Sequence, residues 1–222
     1  MIYKKNKLSI DGIKVDFIAK KFTTPIYCYS FKKLKDNIKN FKDNFKKVDP
    51  LICFAVKSNA NIKILNEIKK LKLGADVVSI GELMKALKVG INPRKIVFSG
   101  IGKTTTELEY AINKKILLIN TESKSEILEI ERIAKSKKRK VNIGIRINPN
   151  IDADTISQIS TGKKENKFGV DEKIFLELIK YLKNSKFLNL KCLSVHIGSQ
   201  ILNLRPYERM LKVINKIIIK SK

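Results

Sequence analysis

The sequence has no Trp, one His, three Cys, five Pro and ten Gly among 222 residues, and each scarcity excludes something. So little Pro and Gly rules out fibrous and low-complexity chains and leaves no linker between folded parts, so one domain over residues 1–222 is expected. Cys28, Cys53 and Cys192 stand in apolar contexts without C-x-x-C spacing. That pattern argues against a zinc site or a disulfide framework, and the three read as reduced core residues of a cytoplasmic protein with no metal. No 18-residue apolar run occurs, and the lysines of residues 1–7 are not followed by an apolar stretch, so neither a membrane span nor a signal peptide is expected.

Acidic residues are also few: 21 Asp and Glu against 47 Lys and Arg, a net charge of +26. Such a balance ordinarily raises nucleic acid or an anionic membrane as a partner. Here the cations are nearly all Lys, spread along every predicted helix, with no Trp and no interleaving of aromatic and basic residues. Even Lys137, Lys138, Arg139 and Lys140 fall where a helix should end, a place that favours cations through the helix dipole. The charge reads as a solvated surface, and neither nucleic acid nor membrane is expected as a partner.

What is present is a 43% hydrophobic chain, long enough for a real core. Strand-length apolar runs alternate with stretches of helical period, the pattern of parallel βαβ units. Strands are expected at Leu51–Lys57, Ala75–Ser79, Ile96–Gly100, Ile116–Asn120, Val141–Ile147 and Cys192–Ile197. Helices are expected between them. One is capped by Ser30 and carries Phe31, Leu34, Ile38, Phe41 and Phe45 on one face, one covers Gly81–Val89 and stops at Gly90, and one opens with the T-x-x-E box Thr104–Glu107. Two more cover Asp171–Lys183 and Pro206–Ile219. A polar loop, Asn148–Asn166, interrupts the regular spacing, and long loops in compact barrels are usually functional. A closed barrel and a doubly wound open sheet share this order of elements. The open sheet usually shows a Gly-rich turn after its first strand, and Lys57-Ser58-Asn59 is not one, so an α/β barrel of the TIM type is favoured. Only six of its eight strands are found.

Barrel chemistry collects at the C-terminal ends of the strands. The first run, Ile52-Cys-Phe-Ala-Val, ends in Lys57, which is either a lysine reaching into solvent or a nucleophile at the mouth. The fifth ends with Arg146 among aliphatics, a group that needs an anionic partner. The second contains Asp76 and is followed by Gly81-Glu82. The sixth ends with His196, the sole histidine, near Gly198 and Ser199. A single His is commonly a satisfied core residue, but a Lys, an Asp, an Arg and a His at four strand ends also compose a convergent polar site.

At these residues the sequence resembles the diaminopimelate, ornithine and arginine decarboxylases, the alanine racemase-like barrel class of pyridoxal 5'-phosphate (PLP) enzymes. The matching segments are Thr24-Pro-Ile-Tyr-Cys-Tyr29, Phe54-Ala-Val-Lys-Ser-Asn59, Gly74-Ala-Asp-Val-Val-Ser79, Phe98-Ser-Gly-Ile-Gly-Lys-Thr104, Arg146-Ile-Asn-Pro149, Ser160-Thr-Gly162, Lys167-Phe-Gly169 and His196-Ile-Gly-Ser-Gln200. Their order and spacing are specific, and the S-G-x-G-K-T and H-I-G-S-Q forms resemble the diaminopimelate branch.

The resemblance implies that Lys57 carries PLP as a Schiff base and later helps return a proton, that His196 stacks on the pyridine ring, and that Ser199 lies near the phosphate. Asp76, Glu82 and Arg146 match positions around the cofactor and its lysine. It further implies decarboxylation of meso-2,6-diaminopimelate, a small amino acid, to L-lysine by a homodimer. Where the family commonly has a histidine this chain has Ile156, which weakens any role for that loop. The family's Gly-rich phosphate loop, E-P-G-R segment, active-site cysteine and late tyrosine find no match before Lys222. The resemblance therefore covers the N-terminal portion, without two barrel strands and the C-terminal β-domain, and the chain alone is expected to be inactive. An ornithine- or arginine-type decarboxylase, a small PLP-carrying barrel and a non-catalytic scaffold are the competing readings.

Overall fold

The computed structural model describes residues 2–4, 6–152 and 168–221, which form two compact units, Met1–Leu51 and Ile52–Lys222. The first opens with an antiparallel meander of β1 (Ile2–Lys4), β2 (Lys7–Ile10) and β3 (Ile13–Lys14). Asp11-Gly12 joins β2 to β3 with φ of 51° and 85°, the doubly positive backbone that a tight hairpin demands and that Asp-Gly tolerates. This meander and helix α1 (Val15–Phe22) were not anticipated, because strands of two to four residues leave too short a periodic signal. Helix α2 (Phe31–Phe45) starts at the expected cap: Ser30 Oγ accepts from the Lys33 amide at 2.9 Å and donates to the Asp11 carboxylate.

The second unit is a six-stranded parallel sheet in chain order: β4 (Cys53–Ala55), β5 (Gly74–Val77), β6 (Ile96–Phe98), β7 (Leu118–Thr121), β8 (Val141–Arg146) and β9 (Leu188–Ser194). The intervening crossovers carry α3 (Ile62–Lys70), α4 (Ile80–Lys88), α5 (Thr105–Asn113), α6 (Lys124–Ser136) and α7 (Glu172–Lys183), and α8 (Arg205–Ser221) follows β9. All six expected strands are present. Their limits differ by a few residues, because apolar content does not stop where ladder pairing stops. The run ending in Lys57 pairs only through Ala55 and then tightens into a 3-10 turn, Val56–Ser58. Among the described residues the sheet does not close, since β4 and β9 each pair on one side only.

The register separates the two faces of the sheet. Ala75, Val77, Ile96, Phe98, Ile119, Ile143 and Ile145 alternate onto the face covered by the helices, and all are essentially inaccessible. Cys53, Ala55, Asp76, Val97, Asn142 and Arg146 occupy the other face and are half-buried. Gly144 on that face has no room for a side chain. A Cβ there would meet Asn120 Oδ1 at 2.3 Å and Cys192 Cβ at 3.1 Å. The cysteines do not form the expected core set: Cys28 is exposed, while Cys53 and Cys192 are half-buried and free. Burial, followed by the nearby Asp76 charge, pushes the Cys53 thiol up to about 11, so it is an unreactive protonated group.

Candidate active site

Three successive helices after the strands start with the same device, a Ser or Thr cap followed three residues later by Glu. Ser79 Oγ accepts from the Glu82 amide, Thr104 Oγ1 from Glu107 and Ser123 Oγ from Glu126. The glutamates reach back to amides before or at the cap: Glu82 to Val78, Glu107 to Thr104 and Glu126 to Glu122. Glu107 also accepts from the Ile80 amide of the preceding unit at 2.9 Å. These caps tie adjacent strand ends together and fix the rim of the sheet. Glu82, read from the sequence as a group near the cofactor, is committed to the turn that follows β5.

Inside this rim the strand-end groups converge. Asp76 Oδ1 accepts from Ser99 Oγ at 2.6 Å, and Ser99 Oγ accepts from Asn120 Nδ2 at 3.1 Å. Lys57 lies exposed on its 3-10 turn, anchored by Val56, which is fully buried. Its ammonium, the Arg146 guanidinium and Lys103 all act on Asp76, and Lys57 and Arg146 act also on His196. Lys57, Asp76, Arg146 and His196, from the turn after β4, from β5, from β8 and from the segment after β9, therefore share one end of the sheet. Glu82 stands in the first turn of α4, its carboxylate on the Val78 amide. Ser199 is exposed beyond Gly198, whose φ of 154° is open to glycine. The loop expected at Asn148–Asn166 lies largely outside the described residues, as do Ile156, the Ser160–Gly162 match and Lys167.

Several participants were not singled out from the sequence. Arg146 Nη1 donates to Glu122 Oε1 at 3.1 Å, and Phe168 stacks on the guanidinium at 4.9 Å. Lys103, with only 1% of its side chain exposed, pairs with Glu126 at 2.6 Å and donates to the carbonyls of Gly100 and Asn120. Ser99, Lys103 and Phe168 stand inside the quoted motifs, and Asn120 ends the fourth apolar run, so the question asked of the other strand ends would have found it.

Burial dominates the titration of the two central groups. It raises the Asp76 carboxyl above the ordinary 3.8, outweighing the Ser99 hydrogen bond and the charges of Lys57, Arg146 and Lys103. It also lowers the His196 imidazole below 6.5, with Arg146 and Lys57 acting in the same direction and Glu122 opposing. His196 thus presents a neutral ring at neutral pH, and protonating it costs stability as the pH falls below its ordinary value.

Asp76 works in the opposite sense: its contribution to stability is complete below its ordinary value and is lost as the pH rises through the raised one. At pH 7 the charged carboxylate is therefore a cost. Asp76→Asn, which keeps an acceptor for Ser99, is expected to raise the Tm at pH 7 by about 2–4 °C per kcal/mol relieved. The gain should shrink toward pH 4. A Tm that is unchanged or lower at pH 7 counts against burial as the dominant influence on Asp76.

This set suits PLP. It offers a primary amine at the mouth, a neutral imidazole for a flat ring, a carboxylate for charge balance, and a guanidinium whose buried Nη2 has no hydrogen-bond partner among the described residues. A sequence model described as the pyridoxal-binding domain of pyridoxal-dependent decarboxylases matches residues 31–221. The chain belongs to that family. It is 50% identical over 196 residues to the diaminopimelate decarboxylase of Helicobacter pylori strain J99, covering 88% of this chain and 48% of that protein. The crystal structure of the H. pylori diaminopimelate decarboxylase complexed with L-lysine superposes with a TM-score of 0.90 at 47% identity, over 93% of this chain and 52% of that one. The M. jannaschii diaminopimelate decarboxylase, in co-complex with L-lysine, superposes with a TM-score of 0.89 at 33% identity, over 100% of this chain and 54% of that one. The chain spans about half the length of the curated relatives it matches. The parallel six-stranded sheet is thus part of the barrel type that these decarboxylases share.

Proposed function

We propose that this chain is the PLP-binding portion of a diaminopimelate decarboxylase, which releases carbon dioxide from meso-2,6-diaminopimelate and leaves L-lysine. The observation that carries the reading is the convergence of Lys57, Asp76, Arg146 and His196 at one end of a parallel sheet, in a chain 50% identical to an enzyme of that name. When bound, PLP supplies an electron sink for the α-carbon from which the carboxylate departs. The residues supply the rest. Lys57 Nζ would hold the cofactor and would be the amine that carries a proton at this end of the sheet. His196 would support the flat ring, and burial and the neighbouring cations keep its imidazole neutral. Ser199 would be the hydroxyl that holds the cofactor phosphate. Asp76 and Arg146 balance charge beside the amine, and Glu82 acts through the turn it fixes. Cytoplasmic location and homodimeric assembly go with this reading, supported by the free thiols and by the family.

The test is carbon dioxide release from meso-2,6-diaminopimelate, ornithine and arginine in parallel, by the product of the reading frame that carries this chain, with and without added PLP. PLP-dependent release from diaminopimelate with L-lysine as product supports the proposal. Release chiefly from ornithine or arginine overturns the substrate, and release without PLP overturns the cofactor. In the same assay His196→Ala is expected to lower kcat and kcat/KM together by about a hundredfold, with Tm within a few degrees of the parent. A large drop in Tm with normal turnover of the folded fraction would instead make His196 a core residue.

A further inference from the structure

Glu122 follows β7 and is nearly sealed, its side chain 4% exposed. Both its carboxylate oxygens are engaged by groups from elsewhere in the chain. Oε1 accepts from Arg146 Nη1 at 3.1 Å, and Oε2 accepts from the Gly169 amide at 3.0 Å. The Glu122 amide is in turn held by Glu126, whose other oxygen holds Lys103. The Arg146 guanidinium is therefore fixed on one edge by a braced carboxylate and on one face by Phe168, and its buried Nη2 finds no partner among the described residues. A buried, unpaired donor costs stability, so its retention at the end of β8 needs a reason.

We propose that Glu122 is a positioning residue for the PLP site: it locks the Arg146 guanidinium beside Lys57, Asp76 and His196 and balances its charge there. This rests on the PLP reading above. A carboxylate is required because two donors approach two different oxygens. A glutamine would present an NH2 group to one of them and lose that bond. The charge counts as well. His196 faces Lys57 from the turn after β4, Arg146 from β8 and Glu122 from the turn after β7, and among the described residues Glu122 is the anion acting on it. Neutralising Glu122 leaves Lys57 and Arg146 unopposed at the imidazole.

The experiment compares the wild-type chain with E122Q and E122D. Because His196 is the only histidine, its imidazole resonances titrate in an NMR spectrum without assignment and without cofactor. The companion readouts are the PLP dissociation constant from cofactor absorbance and the thermal melt. E122Q is expected to move the His196 midpoint to lower pH and to weaken PLP binding by about tenfold or more. E122D, which keeps the charge but not the reach, is expected to hold the midpoint near wild type while weakening PLP. A folded E122Q with wild-type midpoint and PLP affinity overturns the proposal. If E122Q does not fold, E122D decides: weakened PLP at an unchanged Tm supports the role, and wild-type affinity overturns it. A wild-type chain that takes up no PLP sinks the functional reading instead, and the titration alone then judges whether Glu122 governs the charge around His196.

Discussion

Borohydride reduction of the protein loaded with one equivalent of PLP is expected to fix the pyridoxyl group on Lys57, and Lys57→Ala to abolish labelling of that peptide. The chain is crowded with lysines, so the amine alone cannot explain selectivity. What distinguishes Lys57 is its setting. Many lysines stand exposed on helix surfaces, where PLP would find an amine and little else. Lys103 sits at the same end of the sheet but is sealed, with three acceptors on its ammonium. Lys57 is exposed, yet its turn is pinned by fully buried Val56 and by the Ser58 hydroxyl, which donates to the Ala55 carbonyl at 2.7 Å. Around it lie a neutral imidazole, a carboxylate and a fixed guanidinium, the groups proposed to hold the rest of the cofactor. Peptide mass mapping reads the result. A label spread over many lysines, or concentrated on another one, would remove Lys57 from the proposed mechanism.

The order of strands was legible because each apolar run also had to pack against helices. Ile96, Phe98, Ile143 and Ile145 have no accessible surface, so their identity is dictated by the core. The ends were less legible. Val56 is fully buried and prolongs the apolar run before Lys57, although the ladder has already stopped at Ala55. Lys57, Asp76, Arg146 and His196 could be found one at a time, since a charged or titratable group ending an apolar run is conspicuous by itself. Glu122 could not. Its significance comes from Arg146, 24 residues away, and Gly169, 47 residues away, and in the sequence it looks like any acid before a capped helix. Partnership between distant residues is what the fold adds.

The same topology sets the last expected result: the 222-residue chain tested by itself will associate with itself and turn over diaminopimelate at least about a hundredfold more slowly than the H. pylori enzyme assayed beside it. Among the described residues β4 and β9 each offer one unpaired edge of backbone donors and acceptors, and such edges recruit other strands. The sheet face opposite the helices is only half-buried at Cys53, Ala55, Val97 and Cys192, whereas the helix-covered face is dry. Leu202, Leu204, Leu211 and Ile219 add exposed apolar surface after β9. The groups proposed to react stand at the end of that incompletely covered face, where water reaches exposed Lys57 and weakens the electrostatic preorganisation that the proposed decarboxylation needs. A misplacement of about 1 Å among such groups is enough for a hundredfold loss. Sedimentation over a range of concentrations should show an apparent mass that climbs at micromolar protein, and carbon dioxide release should stay near background even with excess PLP. A monodisperse chain with turnover near that of the relative would show that six strands and this rim suffice to hold the site.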